Sequence, residues 1–195
     1  GVAGFYSPGH GRLFLWDVEG AHGGFHLEVA KHETTHLLND LMARELALNL
    51  PTWFDEGSAT YFSMFVAGAG PEPEDHPGAA AEVLGDLDLG KPMRSRELRS
   101  VPWESFHGRE YSWGWAQVRF FRQHEKGGRW RALLEYLRTV SAGPVTDSEE
   151  RRFTEAAGFK SSEALDAAWH AHLKATRTAE RRYVGTSPEV LQRVA

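Results

Sequence analysis

Between about Phe25 and Leu50 the apolar residues Leu27, Val29, Ala30, Leu37, Leu38, Leu41, Met42 and Leu46 recur at helical spacing, and Asn49-Leu50-Pro51 closes the run. The pattern predicts one long helix. Thr52, followed three residues later by Asp55, reads as the N-cap of a second helix through Trp53, Phe54, Tyr61, Phe62 and Phe65 until Gly68. Upstream, Val2 to Tyr6 and Arg12 to Trp16 are short aromatic-rich runs separated by Ser7-Pro8-Gly9-His10-Gly11, the signature of a hairpin or two adjacent strands. A glycine-rich loop from Gly20 to Gly24 follows.

Downstream, Gly68 to Gly78 carries three prolines and reads as a surface loop, and Ala79 to Val101 as a short helix with an exposed connector. Glu110 to Glu125, Arg129 to Val140, Ser148 to Ala157 and Ser161 to Ala175 show helical periodicity, with breaks at Gly127-Gly128, Gly143-Pro144 and Gly158. The expected fold is α+β and predominantly helical. A single domain over 1–175 divides into strands with two helices (1–67), a connector (68–108) and a helical part (109–175), with a polar tail over 176–195.

Composition narrows the chemistry. The 195 residues are enough for one domain with a real core. Twenty-two Lys and Arg against 27 Asp and Glu leave a net charge of −5, which argues against nucleic acid as a partner. No apolar run approaches the roughly 18 residues of a membrane span. The chain opens Gly1-Val2-Ala3-Gly4 without an initiator methionine, so it is expected to be a piece of something longer, and its compartment is left unread. With no cysteine, any metal must be held by histidines and carboxylates.

His32-Glu33-Thr34-Thr35-His36 supplies such a pair inside the long helix. Residues four apart share a face, so both imidazoles can reach one ion. Glu33 lies about 100° round the helix, where it misses the metal yet reaches a water activated by it. Catalytic zinc wants a third protein ligand and an open position. Asn39 and Met42 stand where a metzincin needs Gly and His, which excludes that class. The alternative is a Glu on the next helix, and Glu56 lies there with nineteen residues between it and His36.

In HExxH spacing the chain resembles the gluzincins. The segment Trp53-Phe54-Asp55-Glu56-Gly57-Ser58-Ala59-Thr60-Tyr61-Phe62 is similar to the glutamate-ligand helix of gluzincin aminopeptidases. Residues 1 to 175 most resemble the small bacterial peptidase-MA-like domains, in which an HExxH helix, a glutamate-ligand helix and a later tyrosine-bearing helix follow in order. The resemblance implies a zincin-like fold, Zn2+ on His32, His36 and Glu56, Glu33 as general base, and peptide or protein as substrate. An extracytoplasmic bacterial location is implied by the resemblance alone. Thermolysin-like enzymes place an Asp at the position of Thr60 to support the first histidine, so Thr60 is a departure in that supporting shell.

Metal-bound histidines usually donate their second ring N–H to a carboxylate. Asp55 is the candidate here, though it equally suits the helix N-terminus. Gly57 suits a close helix approach. Tyr111 is the candidate donor to a developing oxyanion, or else an aromatic core residue, and His107 is the competing donor. The resemblance also has the Arg12 to Trp16 strand line the cleft and pair with an extended substrate. His10, His22, His26, His76, His124, His170 and His172 form no second HExxH pattern and read as structural or solvated. Endopeptidase is favoured, because the aminopeptidases' GxMEN segment is absent. The rival is a non-catalytic zincin-like module that binds a protein or cell-wall polysaccharide, against which the intact Glu33 argues.

Overall fold

A computed structural model describes residues 3–17, 19, 23–67, 72–73, 75–140 and 145–184. The expectations at 20–22 (with His22), at 68–71 and 74, at the 141–144 break and at 185–195 lie outside the described residues. Among the described residues the protein is predominantly helical. One antiparallel hairpin, β1 (Gly4–Ser7) with β2 (Arg12–Leu15), precedes α1 (Gly23–Leu46) and α2 (Thr52–Ser63). Then come α3 (Pro77–Asp88), α4 (Ser95–Arg99), α5 (Gly108–Gln123), α6 (Trp130–Leu137), α7 (Asp147–Ala156) and α8 (Ser162–Val184).

Several bounds differ from the expected ones for identifiable reasons. α1 stops at Leu46 because Ala47 turns into the left-handed region (φ 52°) and Leu48 N–H bonds back to Ala43 O at 2.9 Å, which buries Leu48. Thr52 is not the cap of α2. Pro51, at φ −70° and ψ 153°, stands there, and its carbonyl accepts from Phe54 and Asp55 N–H. α2 ends at Ser63 rather than Gly68: Ser63 Oγ bonds to Thr60 O in the last turn, and Phe65 and Val66 beyond it are exposed. The expected connector holds α3 and α4, which bury Val83, Leu87 and Leu98, and α8 continues past Ala175 into the expected tail.

α2 is central, packed on α1 and on α5. The contact with α5 is a backbone approach, because a Cβ built on Gly57 would lie 2.5 Å from Gly114 O. Glycine is required where two helices come this close. Around that contact lies an aromatic core that includes Trp53, Phe54, Trp113, Trp115, Phe121 and Trp169. Trp113 Nε1 and Arg109 Nε both donate to Asp86 Oδ2 at 2.8 Å, tying α3 to α5. β1 packs on α1. Half of the apolar stripe that announced α1 is on its outer face: Leu27, Leu38 and Leu41 are 56%, 58% and 52% exposed, and Leu46 is exposed too. The face turned inward carries Glu33, Thr35 and Asn39, each under 10% exposed.

Candidate metal centre

α1 presents His32 and His36 one turn apart, and α2 crosses so that Glu56 in its first turns meets both. The two Nε2 atoms are 3.2 Å apart, and each lies 3.4 Å from Glu56 Oε2. These three residues form a group that could hold a metal ion. Glu56 is 2% exposed and its Oε2 has no hydrogen-bond partner, an arrangement that costs free energy unless a positive charge supplies the missing partner.

The histidine rings are aimed from behind. His36 Nδ1 lies 3.1 Å from Asp55 Oδ1, so in the neutral ring the proton belongs on Nδ1 and the Nε2 lone pair points at the triangle. Asp55 Oδ1 in turn accepts from Asn39 Nδ2 at 2.7 Å, Asn39 also donates to Ser58 Oγ at 2.8 Å, and Ser58 Oγ donates to Asp55 O at 3.0 Å. Burial opposes charge on His36, but the hydrogen bonds and negative charges of Asp55 and Glu56 outweigh it and hold the ring up at about 10. Burial likewise opposes charge on Glu56, yet His32 and His36 draw its carboxyl down to about 2. The cluster is organised to retain positive charge.

Glu33 and Tyr111 wall the same cleft, of about 710 Å³, as His32, His36 and Glu56. Glu33 Oε2 accepts the backbone N–H of Tyr6 at 2.7 Å, and the Tyr6 phenol donates to Asp40 Oδ2 at 2.6 Å, so one strand residue is bolted to α1 twice. Trp16 N–H pairs with Ala3 O, and the register alternates from there, leaving the N–H and C=O groups of Gly4 and Tyr6 on the edge away from β2. The cleft is therefore lined by β1, through Gly4, Phe5 and Tyr6, and not by the Arg12 to Trp16 strand as expected. The Tyr111 ring lies 6.2 Å from that of His32. Burial first, then Glu56 with Glu33 and Asp55 behind it, pushes the phenol above its ordinary range and keeps it a donor.

Two expected supporting residues stand elsewhere. His107 is exposed at the N-cap of α5, where its backbone N–H donates to Glu110, and it does not line the cleft; exposed Trp103 does. Thr60 is buried, but its hydroxyl makes no hydrogen bond to His32 or to any other group. A threonine hydroxyl is one atom shorter than an aspartate carboxylate. Asn39 and Tyr6 are the residues that sequence reasoning missed. Asn39 had a signal, a polar residue three after His36 on the same helix face. Tyr6 acts through its backbone and had none.

Compared with known proteins, the chain matches no family model, no curated protein and no solved structure.

Proposed function

We propose that this chain is a zinc-dependent metallohydrolase of gluzincin type with a zincin-like fold, cleaving peptide bonds and favouring internal ones. The observation that carries the reading is the size of the donor triangle. A tetrahedral ion with bonds of about 2.0–2.1 Å sets neighbouring donors about 3.3 Å apart. The three edges here measure 3.2, 3.4 and 3.4 Å. Calcium and magnesium ask for six or more oxygens, which two imidazoles and one carboxylate do not supply. The orphaned Oε2 of Glu56 fits the same reading.

Bound there, zinc lowers the pKa of a coordinated water toward about 7 and polarises a carbonyl oxygen. The remaining work falls to the chain. Glu33, held by Tyr6 N–H through one oxygen, takes the proton of the attacking water on the other and delivers it to the leaving amine. Tyr111, kept protonated, donates to the carbonyl oxygen as that atom gains charge. Asp55 and Asn39 hold the His36 ring, and the β1 edge offers backbone partners to an extended chain.

The test is metal analysis of the purified protein, followed by a peptide-library digest with and without chelator. Stoichiometric zinc and chelator-sensitive cleavage are expected, and Glu33→Gln should keep the zinc and lose turnover. Absence of stoichiometric zinc from the wild type would refute the metal site, and retained turnover in Glu33→Gln would remove the base. Zinc bound with no peptide cleaved would leave the non-catalytic binding module.

A further inference from the structure

A second cavity, of about 370 Å³, opens off Gly4, His32, Glu33 and Tyr111, four residues that also wall the metal cleft. Its character is distinct. Phe25, Val29 and Ala79 give it apolar walls, and among the described residues no lysine or arginine lines it. Glu28, one helical turn before His32, brings a carboxylate to it.

The partner of Glu28 is His76, whose Nε2 lies 3.0 Å from Oε1. The same ring accepts Ala79 N–H on Nδ1 at 3.1 Å, as the cap of α3. A nitrogen that accepts cannot also carry a proton, so the proton sits on Nε2 and His76 serves Glu28 as a neutral donor. Thr60 lines the same cavity, is 7% exposed, and has no partner for its buried hydroxyl. A buried hydroxyl left without a partner is a second, independent sign that a polar group belongs in the cavity.

We propose that this cavity takes a protonated amine or guanidinium of the substrate, with Glu28 as its counter-ion and Thr60 as a further acceptor. The aliphatic stem of a lysine or arginine suits the walls of Phe25, Val29 and Ala79, and the cationic head suits Glu28. A free α-amino group offers the same chemistry with a shorter stem. Residence beside Glu33 makes the cavity a selector of the residue flanking the scissile bond, and this role rests on the peptidase reading above.

Paired fluorogenic peptides carrying lysine or norleucine on either side of the cleaved bond, each with a free or an acetylated N-terminus, separate the two sources. Wild type should favour lysine by about tenfold or more in kcat/KM, the scale of one charge-assisted contact, and Glu28→Gln should bring the ratio near one. If instead lysine and norleucine peptides are cleaved alike and acetylation lowers kcat/KM of both by that factor, the α-amino group is the cation. Ratios near one in wild type for both comparisons, lysine against norleucine and free against acetylated, or a preference that Glu28→Gln does not change, overturn the proposal. A second measurement needs neither metal nor turnover: n-butylammonium against butanol, followed by chemical shifts of the Val29 methyls in wild type, Glu28→Gln and Thr60→Val. Wild type should bind the ammonium selectively and both variants less so. Equal response to the two probes overturns the inference, whereas selective binding with no peptide cleaved refutes the peptidase reading and leaves the cation site standing.

Discussion

Gly57→Ala tests the link between the fold and the site most directly. The added Cβ would lie 2.5 Å from Gly114 O, 2.6 Å from Gly114 C and 3.0 Å from Gly114 Cα, all backbone atoms that cannot rotate aside. An ordinary carbon–oxygen contact is about 3.3 Å, so α2 and α5 must separate by roughly 0.8 Å or bend. Overpacking of this kind costs about 3 kcal/mol at the upper end of its range, and alanine returns about 1 kcal/mol of helix propensity. The net loss is about 2 kcal/mol, or about 4–8 °C in Tm for a chain of this size. Gly114→Ala is the control. Its Cβ meets Trp53 O at 3.1 Å and Gly57 Cα at 3.2 Å, which a shift of a few tenths of an ångström relieves, so its net effect should be under about 1 kcal/mol. Thermal melts of both variants, with and without zinc, and zinc affinity by chelator competition make the assay. Because Gly57 follows Glu56 directly, its variant should also bind zinc about tenfold more weakly. A Gly57→Ala protein as stable as the wild type, or more stable than Gly114→Ala, would refute the close approach.

Asp55→Ala removes the partner of His36 Nδ1 and should weaken zinc binding by about 10–100-fold, read by the same competition, with Asp55→Asn losing less. Ala47→Gly relieves a left-handed alanine at the end of α1 and should stabilise by up to about 1 kcal/mol in urea denaturation; destabilisation would contradict the helix end described. His172 is lowered from 6.5 to about 4, by burial first and then by Arg119 and His124. The folded state thus binds fewer protons than the unfolded one between those values. The stability this confers is whole above pH 6.5 and is lost as the pH falls toward 4. Because the ring is partly exposed, screening reduces the effect to about 1–2 kcal/mol, and His172→Leu should flatten the urea-derived stability profile across that window.

Much of the candidate site was legible because local periodicity carries it. The four-residue spacing of His32 and His36 puts both on one turn of any helix, and the second helix needed only its apolar pattern to be placed. Helix ends were less legible. α1 closes on a left-handed alanine, a residue with no turn signature, and the reason for stopping there is the burial of Leu48 by the rest of the fold. The supporting shell was half legible: Asp55 was visible as a neighbour of Glu56, while Asn39 acquires its partners only when α2 crosses α1.

By itself the sequence determined which residue types could meet an ion, that cysteine was not among them, and that the two histidines share a helix face. Tertiary structure decided which face of α1 became the inside. Half of the apolar stripe that announced the helix lies in solvent, and Glu33 and Asn39 point inward, because α2, pinned to α5 by the Gly57–Gly114 approach, and the β1 edge offer them carboxylate, hydroxyl and backbone partners. Periodicity reports that a helix has two faces. Which of them is covered depends on partners distant in the chain, and those are not encoded in the spacing.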